Sequence, residues 1–412
     1  MTPSDPQVQP AGRTKAVETS PYAGLKVLDF TWAAAGPVVT TILGFLGADI
    51  VKIEHSSRPD LMRVSDRQYG YGDERGINDS PLFNELAAEK RSVELDLGKP
   101  EDLAVAMELA AVADVLVENM RPGKIEKLGM SYAALSEKNP KLIMCSVSGT
   151  GRSDVEAPPG YAPIFWAEGG GAWMTGWPDR PPGLVRGPID LHAAAFACLG
   201  VLSLLRRRKA TGQGGYLDCS AIEAVAATVG VHLMEAQLLE DEPGRRGNQA
   251  PGHLLNDVFP CAGDDQWVAL TLRDRADAKA LCRVLQDQAG VTMDAGEMDG
   301  GHATWERIAA ATATLEVVTL AASLLNAGLP SARSTSMLHA LSDPRLIERW
   351  ALQKIPHRTI GEQTIIGLPW TIDGAAYRIA MPAPDLGAHN ADVLLDWLGR
   401  APSIESPTCQ TP

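Results

Sequence analysis

The first 150 residues are constrained by one pattern, in which short apolar runs of strand length alternate with stretches of helix length. LKVLDF (Leu25 to Phe30), DIVKIEH (Asp49 to His55), RSVELDL (Arg91 to Leu97), DVLVENM (Asp114 to Met120) and KLIMCSVSG (Lys141 to Gly149) are the runs. PVVTTILGFLG, PEDLAVAMELAAVA and PGKIEKLGM separate them and read as helices. Strands that take turns with helices form βαβ units around a mostly parallel sheet. The expectation is an α/β fold, doubly wound, with its ligand crevice at the carboxyl ends of the strands.

The pattern changes after Gly151. Residues 152–189 are rich in Gly, Pro and Trp and read as loop; two long helices are expected over Leu191–Lys209 and Asp218–Glu240. EPGRRGNQAPGH reads as a linker. QWVALTL then opens a smaller unit with helices at ADAKALCRVLQDQ and HATWERIAAATATLEVVTLAASLLNAG. The division expected is a disordered tail over 1–20, a large domain over 21–209 and a linker helix region over 210–255. A small domain over 256–335, a segment over 336–400 returning to the large domain, and a tail over 401–412 complete it.

The net charge of −14 is unlike that of a nucleic-acid binder, although one small polyanion needs only a few local cations. Six scattered cysteines form no CxxC pair, and four lie in apolar stretches, as buried thiols of a reducing compartment do. The polar, Pro-rich start has no signal-peptide core, and the apolar run Leu191–Leu205 is too short for a membrane span. A cytoplasmic protein without membrane or nucleic-acid partners is expected.

GTG at Gly149–Gly151 follows a strand but lacks the GxGxxG spacing, and no GxxxxGK[ST] or GxSxG occurs. The eight dispersed histidines predict no metal site. RRRK (Arg206–Lys209) ends a helix, where cations oppose the dipole. Asp190 starts the helix after the Gly/Pro-rich loop. It reads as an N-cap, and equally as a carboxylate kept ionised by the helix end and able to act as a nucleophile.

GLKVLDFTWAAAGPVVTTILGFLGADIVKIEH, AAEKRSVELDL, DVLVENMRPGKIEKLGM and PGYAPIFWAEGGGAWMTGWPDRPPGLVRGPID, in that order, resemble the class III CoA-transferases. Formyl-CoA transferase and carnitine CoA-transferase belong to that family, which shares its fold with α-methylacyl-CoA racemase. The likeness runs from Tyr22 to about Glu240, with echoes in GNQAPGHLLNDVFPCAG, GLPWTIDG and PAPDLGAHNADVLLDWLG. It implies a Rossmann-like large domain and a smaller α/β domain joined by long linkers, in an interlocked homodimer. It also implies an acyl-CoA:carboxylate CoA-transferase that holds no permanent cofactor and uses CoA thioesters as substrates.

Asp190 falls on the family's catalytic aspartate. The CoA contacts carried over are Ala33, Ala34, Ala35, His55, Leu95, Asp96, Leu97, Gly98, Asn119, Met120, Arg121 and Lys127, and Tyr161 is counted with them. Lys90, Arg91 and Lys124 are nearby cations, and Gly169–Gly171 are candidate oxyanion donors. Ala34 stands where formyl-CoA transferase has Gln, and His55 replaces an arginine. Tyr161 and Ala162 replace the racemase's His–Asp pair, which favours transfer over racemisation. An α-methylacyl-CoA racemase or epimerase, and a non-catalytic CoA-binding protein, stay open here. Trp32, Trp166, Trp173 and Trp177 are either the wall of an acyl pocket or core filling.

Overall fold

The structure, a computed structural model, describes residues 15–16, 20–64, 76–152, 160–185, 188–239 and 244–400. The tails expected over 1–20 and 401–412 lie outside these residues except for Lys15, Ala16 and Ser20. Lys15 and Ala16 pair in parallel with Ala375 and Ala376, so this part of the expected tail is a short strand. The chain separates into two compact units, one of residues 1–171, 184–234 and 343–412, the other of 172–183 and 235–342.

The first unit is built on six strands: β1 (Lys26–Phe30), β2 (Asp49–Glu54), β3 (Lys90–Glu94), β4 (Val115–Glu118), β5 (Ile143–Ser148) and β6 (Gly215–Ser220). Their order is β3-β2-β1-β4-β5-β6, and every pairing is parallel. This is the doubly wound dinucleotide-fold order, whose switch point lies between β1 and β4. Both faces are covered, so the strands are buried through most of their length, polar residues such as Asp29, Lys52, Lys90 and Glu118 included. Along β1, Val27 faces one core, while Leu28 and Phe30 face the other.

On the Val27 face lie α1 (Ala35–Phe45) and, further along the chain, the long helix Pro188–Thr211. On the other face lie α2 (Pro100–Val112) and the C-terminal helix Asn390–Leu398, whose Trp397 indole donates to Asp49 Oδ2 at 2.8 Å. A short helix, α3 (Lys124–Lys127), follows β4, and α4 (Ala162–Glu168) follows β5. The helix Pro188–Thr211 is α5; α6 (Ala221–Thr228) and α7 (Gly230–Leu239) follow it.

Three expectations need correction here. Asp218–Ser220, expected to open a helix, instead end β6, because hydrogen bonding to β5 along the open sheet edge outweighs local propensity. The rest of that helix is two, α6 and α7, bent by 63°. And α5 extends past its apolar run to 24 residues, long and apolar enough by length and composition to cross a membrane. In this fold Ala193, Ala194, Ala197, Cys198, Val201 and Leu205 of α5 pack on the sheet, the first four being small side chains that let helix and strands approach closely.

The second unit holds an antiparallel sheet of β7 (Leu255–Pro260), β8 (Trp267–Leu272) and β9 (Ser331–Arg333). Val268, Leu270 and Leu272 alternate inward from β8, as one-sided burial requires. They meet α8 (Arg275–Ala289), capped by Asp274 and closed by Gly290 at φ 67°. The long expected helix after His302 is instead α9 (His302–Thr312) and α10 (Val317–Asn326), bent by 116°. Glu316 caps the second, its carboxylate accepting from the Val318 and Thr319 amides at 2.9 and 2.8 Å.

Candidate active site

Sheet order gathers the CoA contacts implied by the resemblance. Ala33–Ala35 follow β1, His55 follows β2, Leu95–Gly98 follow β3 and Asn119–Arg121 follow β4. These are the carboxyl ends of four adjacent strands, which span the switch point. Lys127 ends α3, just beyond β4, and Tyr161 stands exposed at the start of α4, following β5.

The turn after β1 is the most constrained part of this edge. Asn119 Oδ1 accepts the Trp32 amide, and its Nδ2 donates to the Trp32 carbonyl, both at 2.8 Å, so the ends of β1 and β4 are stapled together. Ala33 has φ 61°, a left-handed conformation costing a non-glycine residue about 1 kcal/mol or more. A Cβ on Gly36 would lie 2.6 Å from Thr31 and 2.9 Å from Asn119, so only glycine fits. No side chain caps α1, and the Ala34 and Ala35 amides make no hydrogen bond among the described residues. Amides of this kind at a helix start suit carbonyl or anionic groups.

Beneath this turn the sheet buries charge. Asp29 Oδ2 accepts from Lys90 Nζ at 3.1 Å and from Thr40 Oγ1 at 2.6 Å, while Oδ1 accepts the Thr31 amide at 2.8 Å. Burial works against the Asp29 charge, but Lys90, Lys52 and the Thr31 and Thr40 hydroxyls outweigh it and hold the carboxyl below its usual range. Lys90 is therefore a core residue and not a cation facing CoA. Arg91 is also committed, to Asp49 at 2.5 Å and to Asp396 at 2.8 Å.

Other cations are uncommitted. Arg121, Lys124 and Lys127 are exposed, with no ion-pair partner among the described residues. So are Arg58, after β2, and Lys99, after Gly98, neither of which sequence reasoning singled out. The signal was present, since each basic residue follows a strand end within a few residues, but only the sheet order shows that those ends are neighbours. His55 faces Asp96, Nε2 to Oδ2 at 3.6 Å, and its Nδ1 meets the Ser57 hydroxyl at 2.8 Å. Leu95 is buried, and Asp96 Oδ1 receives the Gly98 amide at 3.0 Å.

Asp190 lies in the first turn of α5. The far end of that helix is fixed at the amino edge of the sheet: Arg207 donates to the Gly214 carbonyl at 2.7 Å, and Arg208 pairs with Asp114 at 3.0 Å. The RRRK cluster is thus in part a structural tether. Near its start, α5 receives the Cys219 thiol on the Ala193 carbonyl at 3.6 Å, beside the carboxyl end of β6. Asp190 is therefore carried at the carboxyl edge.

It is not the N-cap, because the helix already runs from Pro188 and Asp190 lies within it. As the third helical residue, Asp190 is half-buried and makes no hydrogen bond or ion pair among the described residues. Burial pushes its carboxyl above the usual range. The expectation that helix amides hold this carboxylate is corrected on both counts.

The suggested oxyanion donors also fail in part. The Gly169 amide donates to the Phe165 carbonyl at 2.9 Å and the Gly170 amide to Ala167 at 3.4 Å, so both are used in closing α4. Trp32, Trp173 and Trp177 are 43, 48 and 55 % exposed, which removes core filling as their role. Trp32 and Trp166 belong to the first unit, Trp173 and Trp177 to the second.

The CoA-transferase family III profile matches residues 22–390, and the chain belongs to that family. It is 32% identical over 380 residues to a succinyl-CoA:mesaconate CoA-transferase of Haloarcula hispanica, covering 90% of this chain and 94% of the relative. A succinyl-CoA–D-citramalate CoA-transferase of Chloroflexus aurantiacus is 30% identical over 392 residues, at 92% and 94% coverage. A CAIB/BAIF family protein from Brucella suis has the same fold, with a TM-score of 0.80 and 23% identity over 92% of this chain and all of that one. The protein is an acyl-CoA:carboxylate CoA-transferase.

Proposed function

We propose that the chain moves CoA from a dicarboxylic acyl-CoA to a second carboxylic acid through covalent intermediates on Asp190. The observation that carries this is a half-buried carboxylate, without a partner among the described residues, in the first turn of a helix at the carboxyl edge of the sheet. The two succinyl-CoA-dependent relatives support the donor class. Ionised Asp190 attacks the thioester carbonyl, forming a mixed anhydride and releasing CoA thiolate. The thiolate then attacks the aspartyl carbonyl, giving an aspartyl-CoA thioester and freeing the donor acid. The acceptor carboxylate then attacks the aspartyl thioester carbonyl, displacing CoA thiolate and forming a new mixed anhydride. The thiolate attacks the acceptor's carbonyl of that anhydride, yielding the new acyl-CoA and restoring the Asp190 carboxylate. Covalent catalysis here divides one difficult exchange into acyl transfers of similar energy. A carboxyl raised by burial is the more basic nucleophile once ionised.

The CoA nucleotide is assigned to the strand-end edge, with Arg58, Lys99, Arg121, Lys124 and Lys127 facing its phosphates. Racemisation has no observation in its favour, since Tyr161 and Ala162 supply no acid–base pair. The test is to quench the enzyme with succinyl-CoA and map the modified peptide. A hydroxylamine-sensitive adduct on the peptide holding Asp190 is expected; steady turnover by Asp190→Asn would sink the mechanism.

We further propose a homodimer. Val231, Leu233, Met234, Leu238 and Leu239 on α7 are 47–78% exposed, and no residue of that helix is buried. A run of this kind marks an interaction surface. Sedimentation at nanomolar concentration should show a dimer, and a well-folded monomer would end this proposal.

A further inference from the structure

The turn from Thr31 to Ala33 is held from outside by side chains on other elements. Asp29 takes the Thr31 amide at 2.8 Å, Lys52 Nζ donates to the Thr31 carbonyl at 2.5 Å, and Asn119 takes both polar groups of Trp32 at 2.8 Å. Asp60 Oδ1 accepts the Ala33 amide at 3.0 Å and also the Met62 amide at 3.0 Å. Its other oxygen pairs with Lys52 at 3.0 Å, and the two side chains are 2 and 1 % exposed.

A buried ion pair is a poor device for stability alone, because a well-packed apolar pair of similar volume serves as well or better. What the Lys52–Asp60 pair adds is direction. Besides the Met62 amide, its hydrogen bonds go to the backbone of the turn, to the Thr31 carbonyl and to the amide of Ala33, the residue with φ 61°. A left-handed alanine persists only where its surroundings over-determine it. Immediately after it come the Ala34 and Ala35 amides, unbonded among the described residues, and the start of α1, which no side chain caps there.

We propose that Lys52 and Asp60 are positioning residues for the CoA thioester, holding Ala33 left-handed so that the first amides of α1 face the amide-bearing arm of the ligand. The proposal rests on the assignment of the strand-end edge to CoA. Neither residue touches substrate; they act through the turn.

The test uses the full chain with Lys52 and Asp60 replaced together by apolar residues, Lys52→Met/Asp60→Leu, which removes the pair without leaving a buried charge. Free CoA is titrated by calorimetry, and hydrogen exchange is followed over residues 31–36. The pair variant should exchange faster in that segment alone and bind CoA about tenfold more weakly. Adding Ala33→Gly to the variant should recover most of the lost affinity, because glycine adopts positive φ unaided. A purely structural pair would not be rescued at that position, so failure of the glycine to help overturns the proposal. Unchanged exchange, or unchanged affinity, overturns it too. Wild type that binds no CoA would overturn the edge assignment together with this proposal. Wild type and variant that bind CoA equally would overturn this proposal alone. If the pair variant does not fold, the same measurements on Asp60→Asn decide.

Discussion

Beneath α1 and in the first turn of α5, the same side chain meets opposite treatment. Asp29 is fully buried, and its oxygens are taken by Lys90, Thr40 and the Thr31 amide. Asp190 is half-buried and takes no partner among the described residues. Burial opposes the charge in both places; at Asp29 the partners win, and at Asp190 burial does. A matched buried charge fixes the shape of a turn. An unmatched one costs stability, and that cost marks it as a functional candidate.

The comparison is sharpened most by removing each charge. Asp29→Asn strands Lys90 in the core and should destabilise the fold by about 3–5 kcal/mol. Asp190→Asn should leave stability unchanged or raise it by up to about 1 kcal/mol, because a penalised charge is removed. The pH dependence follows from the two shifts. Asp29 is depressed, so its contribution is present above its unfolded value, near 3.8, and is lost as pH falls through the lower folded value. Asp190 is raised, so its penalty is present above the folded value and vanishes in acid. Both differences from wild type should therefore shrink on acidification, from opposite sides. Urea titrations of the two variants at neutral and acid pH check this, and destabilisation of similar size in both would end the distinction.

A smaller effect is expected at the exposed edge. An exposed cation without a partner costs little, so Arg58, Lys99, Arg121 and Lys127 should be neutral for stability and felt only with ligand. Each replacement by Ala should weaken CoA binding by about 1 kcal/mol, and less at high salt. Calorimetry at two salt concentrations reads this out. Full affinity in all four variants would return them to the solvated surface.

Much of the first unit was legible because period and length are local properties. The five apolar runs and their helices were readable, and each CoA contact implied by the resemblance lies at the end of one of those runs or in the segment that follows it. What local pattern could not show was pairing. GYLDCS is short and partly polar, and only the open edge beside β5 makes it a strand. The second unit misled for a related reason: an apolar helical period continues through Thr314 and Leu315, while the bend is set by the Glu316 cap, visible only once the chain turns.

The charges divide in the same way. The sequence by itself determined the alternation, and therefore a sheet buried on both faces and the edge on which a ligand would lie. It also provided the aspartate and the loop before it. Only the tertiary structure decided that Lys90 is core while Arg58 and Lys99 have no ion-pair partner among the described residues, and that Asp190 lies inside the helix instead of capping it. The physical reason is that a charge takes its meaning from its partners and its distance from water, and residues far apart in the chain supply both.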